Sequence, residues 1–261
     1  MLGWWLMAAM AGSGGELALR PTVDGPVLMT TAAYTVTSLW LLPDRPALAV
    51  AVSPEPLGFD AGVAGKAEGE GAVPLASDAL SYGGSFLGLV AAPIYGALDI
   101  GSDGSRGGGR GALTHGVIFA ESVTVSVTLT DIIKSASRRP RPYTRAPGFE
   151  WEDADDQMSF PSGHTSTAGA LSFSMAHQIA RTQELTVGGK VAAYGLATAY
   201  TATTGMLRVA AAKHYPSDVV VGGLLGASVG IVVPELHRAT GLRVSATAGP
   251  MGRGVALSGR L

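Results

Sequence analysis

The chain concentrates several chemically active side chains in three short segments, although charged residues make up only 15% of its 261 residues. The cations of these segments can bind a phosphate, one histidine can attack the phosphorus, and the other can protonate the leaving group. A carboxylate close to the attacking histidine completes the set. In chain order the residues are Lys134, Arg141, His164, Arg208, His214 and Asp218.

The first segment places Lys134 at the end of an apolar stretch and Arg141 just beyond it. Pro140 and Pro142 stop any continuation of the helix. The two cations could hold one anion from two directions, since arginine offers a planar fork and lysine a compact charge. Taken alone, the same residues are also typical of a basic cluster that touches lipid head groups.

The second segment has the features of a helix start. Pro161 suits the first helical turn, and Ser159 or Ser162 could cap it. Gly163 lets the backbone approach an anion at the positive end of the helix. His164 then projects into the same volume, where it can donate a proton to a leaving oxygen. The alternative is a capped helix with a surface histidine.

The third segment supplies a candidate nucleophile. His214 and Asp218 are four residues apart, so they would share a face of a regular helix. Pro216 suits a first helical turn, which puts His214 just ahead of the helix. A carboxylate bonded to one ring nitrogen would fix the tautomer and leave the other nitrogen to attack. Arg208 is a third candidate phosphate ligand, and the alternative is a solvated His-Asp pair.

The order and spacing of the three segments resemble the type 2 phosphatidic acid phosphatase (PAP2) superfamily, which is related to bacterial acid phosphatases and vanadium haloperoxidases. That pattern is Lys, six residues, Arg-Pro; then Pro-Ser-Gly-His; then Ser-Arg, five residues, His, three residues, Asp. Every spacing is present in this chain. The one departure is Leu207, which stands where the family has serine and removes one hydroxyl near Arg208.

The resemblance implies a role for each matching residue. His214 would be the nucleophile that forms a phosphohistidine, Asp218 would orient it, and His164 would be the general acid. Neither a metal nor another cofactor is implied, because fixed cations neutralise the phosphoryl oxygens. The groups that would hold the phosphate are Lys134, Arg141, Ser162, Gly163 and Arg208.

Composition favours a membrane protein or an unusually apolar helical bundle. Hydrophobic residues make up 47% of the chain and its mean hydropathy is +0.30, whereas soluble domains carry about 25% charged residues. Six apolar stretches stand out, most of them shorter than the roughly 20 residues that cross a bilayer. We expect an all-α, PAP2-like bundle of about six apolar helices embedded in a membrane; the alternative is a soluble helical domain. The stretches are residues 27–42, 83–98, 112–133, 165–180, 191–207 and 219–233.

The remaining segments divide the chain into three parts. Residues 1–22 are a possible signal peptide, cleaved near Ala11, or an apolar N-terminus. Residues 23–240 are the expected phosphatase domain, in which residues 43–82 form a loop or amphipathic segment and residues 101–111 a flexible linker. Residues 241–261 are a tail that could form a small β-hairpin or be disordered.

Several residues outside the three segments receive simpler interpretations. The acidic run at residues 151–156 is interpreted as a solvated loop. Four glycines in the last apolar stretch either allow close helix packing or only reflect composition. They are Gly222, Gly223, Gly226 and Gly230. Three histidines match no segment and are interpreted as structural: His115, His177 and His237.

The leading functional hypothesis is a metal-independent phosphatase that acts on a phosphomonoester or diphosphate of a lipid, with membrane lipids as further partners. A net charge of −2 gives no sign of nucleic-acid binding. The resemblance implies a bacterial-type cell membrane with the site on its extracytoplasmic, periplasmic side. The alternatives are a soluble periplasmic acid phosphatase of broad specificity, a haloperoxidase, and a non-catalytic protein that binds anionic lipid.

Overall fold

The fold is a helical bundle followed by a small hairpin. A computed structural model describes residues 17–37, 56, 58–69, 71–98, 107–151, 154–238, 243–249 and 252–258. Residues 1–16 of the possible signal sequence, with the expected cleavage site near Ala11, lie outside the described residues. In chain order the helices are α1 (Pro21–Val36), α2 (Ala72–Asp78), α3 (Gly84–Leu98), α4 (Gly108–Ser137), α5 (Gly163–Thr182), α6 (Val187–Ala210) and α7 (Pro216–Leu236). The strands are β1 (Arg243–Gly249) and β2 (Gly252–Ser258).

The expectation of a helical bundle is confirmed. Six of the seven helices coincide with the six apolar stretches, although their ends differ. Helix α1 begins at Pro21, six residues before the predicted stretch, because proline suits the first helical turn. The tail forms the hairpin alternative, with Arg243 opposite Ser258.

Two predicted connections are partly helical. Helix α4 begins at Gly108, so the prediction of a linker over residues 101–111 is wrong for its last four residues. A Cβ atom added at Gly96 would overlap the carbonyl oxygen of Gly111, which shows how closely α3 and α4 pack there. Helix α2 and one π-helical turn, Ala79–Gly83, lie in the segment predicted as a loop or amphipathic stretch.

Helix α5 lies at the centre of the bundle and contacts α3, α4, α6 and α7. Its contact with α7 is unusually close. A Cβ atom at Gly222 would lie 2.6 Å from the carbonyl oxygen of Ser162, and one at Gly226 would overlap the carbonyl oxygen of Ser166. The close-packing interpretation is therefore confirmed for these glycines and for Gly230, and the backbones of α5 and α7 are in direct contact.

The direction of the helices brings the three sequence segments to one end of the bundle. Lys134 lies in the last turn of α4 and Arg208 in the last turn of α6, whereas α5 begins at Gly163 and Asp218 lies in the first turn of α7. Helices that run up and down a bundle in this way place alternate ends side by side.

Candidate active site

A cavity of about 400 Å³ opens at this end of the bundle. Five of the eight residues predicted to form the site line it, and Ser162, His214 and Asp218 do not. The five are Lys134, Arg141, Gly163, His164 and Arg208.

The start of α5 forms one wall of the cavity. Ser162 caps the helix, because its hydroxyl accepts hydrogen bonds from the Thr165 amide at 3.5 Å and the Thr165 hydroxyl at 3.0 Å. Ser162 is completely buried and does not line the cavity, so its hydroxyl serves the helix cap instead of the predicted phosphate contact. A Cβ atom at Gly163 would lie 3.6 Å from Lys134 Cε, so this helix start and the lysine share one wall.

Arg141 is buried and held on three sides. Its Nη2 donates to both carboxylate oxygens of Asp155 at 2.7 and 2.6 Å, its Nε to the Asp155 carbonyl at 2.8 Å, and its Nη1 to the Lys213 carbonyl at 3.0 Å. Burial alone would raise the pKa of Asp155, but the charge of Arg141 and then of Lys134 outweighs it and lowers that pKa to about 2. The guanidinium thus has a permanently ionised partner.

The acidic run is therefore not simply a solvated loop. Asp156 is buried and accepts a hydrogen bond from the Tyr143 hydroxyl at 2.8 Å, while Asp155 binds Arg141. The solvated interpretation is wrong for the buried Asp156. The Asp155 side chain is 64% exposed, and it also pairs with the buried guanidinium, which requires a carboxylate partner.

Arg208 is buried beside two residues of α2. Its Nη1 donates to Asp78 Oδ1 at 2.9 Å and to the Ser77 hydroxyl at 3.1 Å. Ser77 thus supplies a hydroxyl contact to this arginine in a chain that has Leu207 at the family's serine position. The Nε atom of Arg208 is buried and has no hydrogen-bond partner among the described residues, so one N–H group remains for a ligand.

His164 lies against the same carboxylate. Its Nε2 is 2.8 Å from Asp78 Oδ1, close enough for charge attraction but not aligned as a hydrogen bond. The ring edge of Tyr82 packs on the imidazole, with ring centroids 5.0 Å apart. Asp78, which the sequence analysis did not single out, therefore joins the candidate proton donor to one of the phosphate-binding cations.

His214 lies in the turn between α6 and α7 and is 1% exposed. Its Nδ1 is 2.7 Å from the carbonyl oxygen of Ser159, which can only accept, so Nδ1 carries the proton and Nε2 the lone pair. Nε2 lies 3.4 Å from Nη1 of Arg141, a cavity-lining residue. Burial, followed by the charges of Arg141, Lys134 and Arg208, holds the pKa of His214 well below its ordinary value.

Asp218 does not hold the His214 ring directly. Its Oδ2 is 3.7 Å from Nδ1, too far for a hydrogen bond, and the Ser159 carbonyl makes the contact that we expected of Asp218. The reason is that α7 begins at Pro216, so the two residues do not share a regular helical face. Asp218 instead accepts from the Tyr215 amide at 2.8 Å and the Ser159 hydroxyl at 2.5 Å, which fixes both segments that surround His214.

Asp218 is also held by a chain of ion pairs that runs through Arg139 to Asp60. Arg139 contacts Asp218 at 2.6 Å and Asp60 at 2.9 Å, and its guanidinium stacks 4.1 Å from the centroid of the Tyr215 ring. Asp60 also accepts from the Ser217 amide at 2.9 Å. The sequence analysis missed Asp60, because it lies in no motif and belongs to a segment of unassigned function.

Two histidines outside the motifs have structural partners, as expected. His115 Nδ1 contacts Gln178 Oε1 at 2.7 Å, and His177 contacts the Tyr194 hydroxyl at 2.6 Å and Glu235 at 3.0 Å. Neither histidine lines the cavity.

The arrangement can accept a tetrahedral anion beside a neutral imidazole. Three cations and a helix start surround the cavity, one imidazole directs its Nε2 lone pair at a guanidinium, and the second imidazole lies next to a carboxylate. These are the parts that the order and spacing of the three segments predicted. A comparison with known families matches the model of the PAP2 superfamily to residues 115–241. This region, just under half of the chain, is similar to the PAP2 superfamily.

The PAP2 region contains all eight predicted site residues, so the resemblance found in the sequence is confirmed. Among curated proteins, the decaprenylphosphoryl-5-phosphoribose phosphatase of two Mycobacterium tuberculosis strains is 30% identical over 112 residues, or 43% of this chain. The chain spans about half of that relative's length, 55%.

Two solved structures were also found. A transmembrane PAP2-type phosphatidylglycerolphosphate phosphatase from Bacillus subtilis is 19% identical, with a TM-score of 0.45, covering 83% of this chain and 95% of the other. LpxE from Aquifex aeolicus is 21% identical, with a TM-score of 0.34, covering 62% and 87%.

Proposed function

We propose that this protein is a metal-independent phosphatase of the PAP2 type that hydrolyses a phosphomonoester or diphosphate of a lipid through a phosphohistidine at His214. One observation carries the proposal. The buried imidazole of His214 has its Nδ1 proton committed to the Ser159 carbonyl, and its Nε2 lone pair lies beside Arg141 at the cavity.

The phosphoryl group would bind among the three cations. Arg208 has a buried Nε–H group without a protein partner, which suits an oxyanion. Lys134 and the N-terminus of α5 add positive potential from the wall that they share. Without phosphate, Asp78 and Asp155 pair with the arginines, and phosphoryl oxygens would take over part of these contacts.

In the first chemical step, Nε2 of His214 attacks phosphorus and the bond from phosphorus to the ester oxygen breaks. Protonated His164 gives its Nε2 proton to the departing alkoxide. Without phosphate, burial and the surrounding cations hold the pKa of His164 at about 2. The phosphoryl dianion adds negative charge among those cations, which raises this pKa and so favours the protonated form before the transfer. The ring of His214 becomes positive, and the Asp218 carboxylate, 3.7 Å away, stabilises this charge.

In the second step, water attacks the phosphorus of the phosphohistidine. His164, now neutral, accepts a proton from that water. The nitrogen–phosphorus bond breaks, and the electron pair of this bond returns to Nε2 of His214. Phosphate leaves and the starting protonation states are restored. Fixed cations neutralise the phosphoryl oxygens throughout, which is the service that Mg²⁺ performs in other phosphoryl-transfer enzymes.

A lipid substrate is supported by the outer surface of the bundle. Among the described residues, two helices are long and apolar enough to cross a membrane: α7, and α4 together with the residues that follow it to Arg145. Large apolar side chains are exposed on the outside of several helices, an arrangement that suits acyl chains better than water. Examples are Phe86, Ile94, Leu98, Leu196, Leu224 and Leu236.

In a membrane, the cavity at the end of the bundle would meet the head groups, where a lipid phosphate resides. We propose that this end faces the extracytoplasmic side. The name of the M. tuberculosis relative describes a phosphatase of a phosphorylated lipid, which supports the same substrate class.

An activity assay of detergent-purified, EDTA-treated protein tests the proposal. The substrates are p-nitrophenyl phosphate and phosphatidate in mixed micelles, and the assay is run well below the unfolding temperature of the protein. We expect turnover, inhibition by orthovanadate, and at least a ~10³-fold loss of kcat in His214→Ala. His177→Ala is the matched control, since His177 is buried in the bundle but does not line the cavity.

Three results would contradict the proposal: loss of turnover on chelation in protein that remains folded, equal activity in His214→Ala, or binding of phosphatidate vesicles without any turnover. Equal use of both substrates by a protein that needs no detergent would favour a broad-specificity acid phosphatase.

A further inference from the structure

A second cluster of functional side chains lies away from the active site. It consists of Asp24 in the first turn of α1, Glu121 in the middle of α4 and His237 directly after α7. Their exposed fractions are 5%, 5% and 4%. Glu121 precedes Lys134 by 13 residues, which at 1.5 Å per residue is about 20 Å along the helix axis. This cluster is therefore separate from the phosphoryl site.

The tautomer of His237 is fixed by the main chain. Its Nδ1 lies 2.8 Å from the carbonyl oxygen of Val233, so Nδ1 carries the proton and Nε2 points at the carboxylates. Nε2 lies 3.1 Å from Glu121 Oε2 and 3.3 Å from Asp24 Oδ1. A histidine whose other nitrogen donates to a backbone carbonyl is the arrangement that metal-binding histidines usually have.

The facing atoms are not joined by hydrogen bonds. Both His237 Nε2 and Glu121 Oε2 are fully buried, and neither has a hydrogen-bond partner among the described residues. Asp24 uses its other carboxylate oxygen to accept from the amide of Arg20. Two buried atoms that require a partner thus point into the same small space.

The charges in the cluster do not balance without a further cation. Asp24 and Glu121 bring two negative charges, and no Lys or Arg side chain in the described part of the chain forms an ion pair with either one. Ile118, three residues before Glu121, and Val233, four residues before His237, belong to one buried apolar cluster. A protonated His237 would offer a single Nε2 proton to two carboxylates and leave one negative charge uncompensated.

The spacing of the three atoms fits coordination of one ion. All three ligand atoms lie within 4.8 Å of one another. Ligands held at about 2.1 Å from Zn²⁺ in a tetrahedron are about 3.4 Å apart, close to the 3.1 and 3.3 Å measured here. An imidazole together with two carboxylates favours transition-metal ions over Mg²⁺ and Ca²⁺, which prefer oxygen ligands alone.

We propose that Asp24, Glu121 and His237 bind one divalent transition-metal ion, with Zn²⁺ as the best fit. The ion balances the two buried carboxylates and fastens the start of α1 to α4 and α7. The main chain meets at the same place, because the Ala18 amide donates to the His237 carbonyl at 2.7 Å and Leu17 forms a β-bridge with Arg238. The sequence alone gave His237 only a structural role, because the three ligands are 97 and 116 residues apart.

Metal content tests this proposal directly. Protein freed of any affinity tag is stripped with a chelator, dialysed against Zn²⁺ and analysed by inductively coupled plasma mass spectrometry, with Mg²⁺ and Ca²⁺ as parallel arms. We expect close to one Zn²⁺ per chain, a rise in Tm of several degrees on adding Zn²⁺, and neither effect with Mg²⁺ or Ca²⁺. Glu121→Gln and His237→Gln should lose both effects, and His177→Gln should keep them.

A spectroscopic measurement on the unchanged protein covers the case in which the variants do not fold. Co²⁺ bound in place of Zn²⁺ should give the visible absorption of a low-symmetry site with nitrogen and oxygen ligands, and Zn²⁺ should displace it. Pulsed electron paramagnetic resonance of bound Mn²⁺ should detect one imidazole nitrogen. The proposal is overturned if the wild-type protein retains no metal and shows no Tm shift, if no imidazole nitrogen couples to the bound ion, or if folded Glu121→Gln and His237→Gln proteins still bind one equivalent.

Discussion

At the residue scale, Asp78 connects the candidate general acid to the candidate phosphate ligand. Its Oδ1 lies 2.8 Å from His164 Nε2 and 2.9 Å from Arg208 Nη1. Burial, followed by the charge of Arg208 and the other nearby cations, lowers the pKa of His164 to about 2. The Asp78 carboxylate opposes these charges, and it also competes with phosphate for Arg208. A single side chain thus influences both leaving-group protonation and affinity for oxyanions.

Replacing Asp78 should separate these two effects. In Asp78→Asn we expect kcat to fall by about 10²-fold, because general-acid catalysis weakens. Orthovanadate should bind more tightly, because a competing negative charge is gone. Steady-state kinetics and vanadate inhibition measure both, and Glu150→Gln, at an exposed acid that does not line the cavity, is the control. An unchanged kcat in Asp78→Asn would exclude the role given to this carboxylate.

The lowered pKa of His214 leads to a prediction about how kcat/KM depends on pH. Its nucleophilic form is the neutral imidazole, and burial with three nearby cations lowers its pKa. The nucleophile should therefore stay competent below pH ~6.5, the ordinary value for histidine. Arg141→Gln removes one of these cations and should move the acid limb of kcat/KM to higher pH.

The substrate phosphate itself titrates near pH ~6 and so contributes to every profile. The informative quantity is therefore the difference between the pH profiles of the wild-type protein and of Arg141→Gln. An acid limb that does not move in Arg141→Gln would show that another group controls it.

The chemistry of the site could be predicted from the sequence to the extent that the residues belong to local motifs. Lys134, His164 and Arg208 line the cavity as expected. The contacts of Asp78 and Asp60 could not be predicted, because they join segments 130 and 79 residues apart and carry no spacing signal. The expected bond between Asp218 and His214 is not made, because the carbonyl of Ser159 binds the ring nitrogen, and a main-chain group from a distant segment leaves no signal in the sequence.

At the scale of the elements, the contact between α5 and α7 controls how closely the second and third segments approach. Gly222 and Gly226 let the backbone of α7 touch that of α5 near Ser162 and Ser166. The glycine pattern suggested close packing, but its partner helix could not be read from the sequence, because composition alone explains such a pattern equally well.

A methyl group at this contact should loosen the site. Gly226→Ala should destabilise the protein by about 1–3 kcal/mol, because the new Cβ atom would overlap the Ser166 carbonyl and force the helices apart. Gly195→Ala is the matched control, since nothing lies within 4 Å of the added atom and alanine favours helix. Thermal unfolding of both variants measures the difference, and an equal or higher Tm for Gly226→Ala would contradict the packing described here.

At the scale of the whole molecule, the bundle has an apolar exterior and a charged cavity at one end. The sequence predicted the six apolar helices, but it could not show which of their faces point outward, because helical periodicity is weak where the helices are apolar all round. The exposed side chains of α3, α6 and α7 give that information.

Extraction from membranes tests the proposed environment. We expect the protein to remain in the membrane pellet after alkaline carbonate and after high salt, and to dissolve only in detergent, because its exposed apolar surface would otherwise meet water. A peripheral membrane protein from the same cells serves as the release control. Recovery of active protein in the carbonate supernatant would contradict a membrane-embedded bundle.

The central claim is that His214 attacks phosphorus in a site assembled from three distant segments. Rapid acid-free quenching of the enzyme with a ³²P-labelled substrate, followed by peptide mapping under alkaline conditions, tests it most directly. We predict a transient, alkali-stable label on the peptide that contains His214, with none in His214→Ala. Turnover without any labelled enzyme in wild-type protein, or a label on a different residue, would contradict the account.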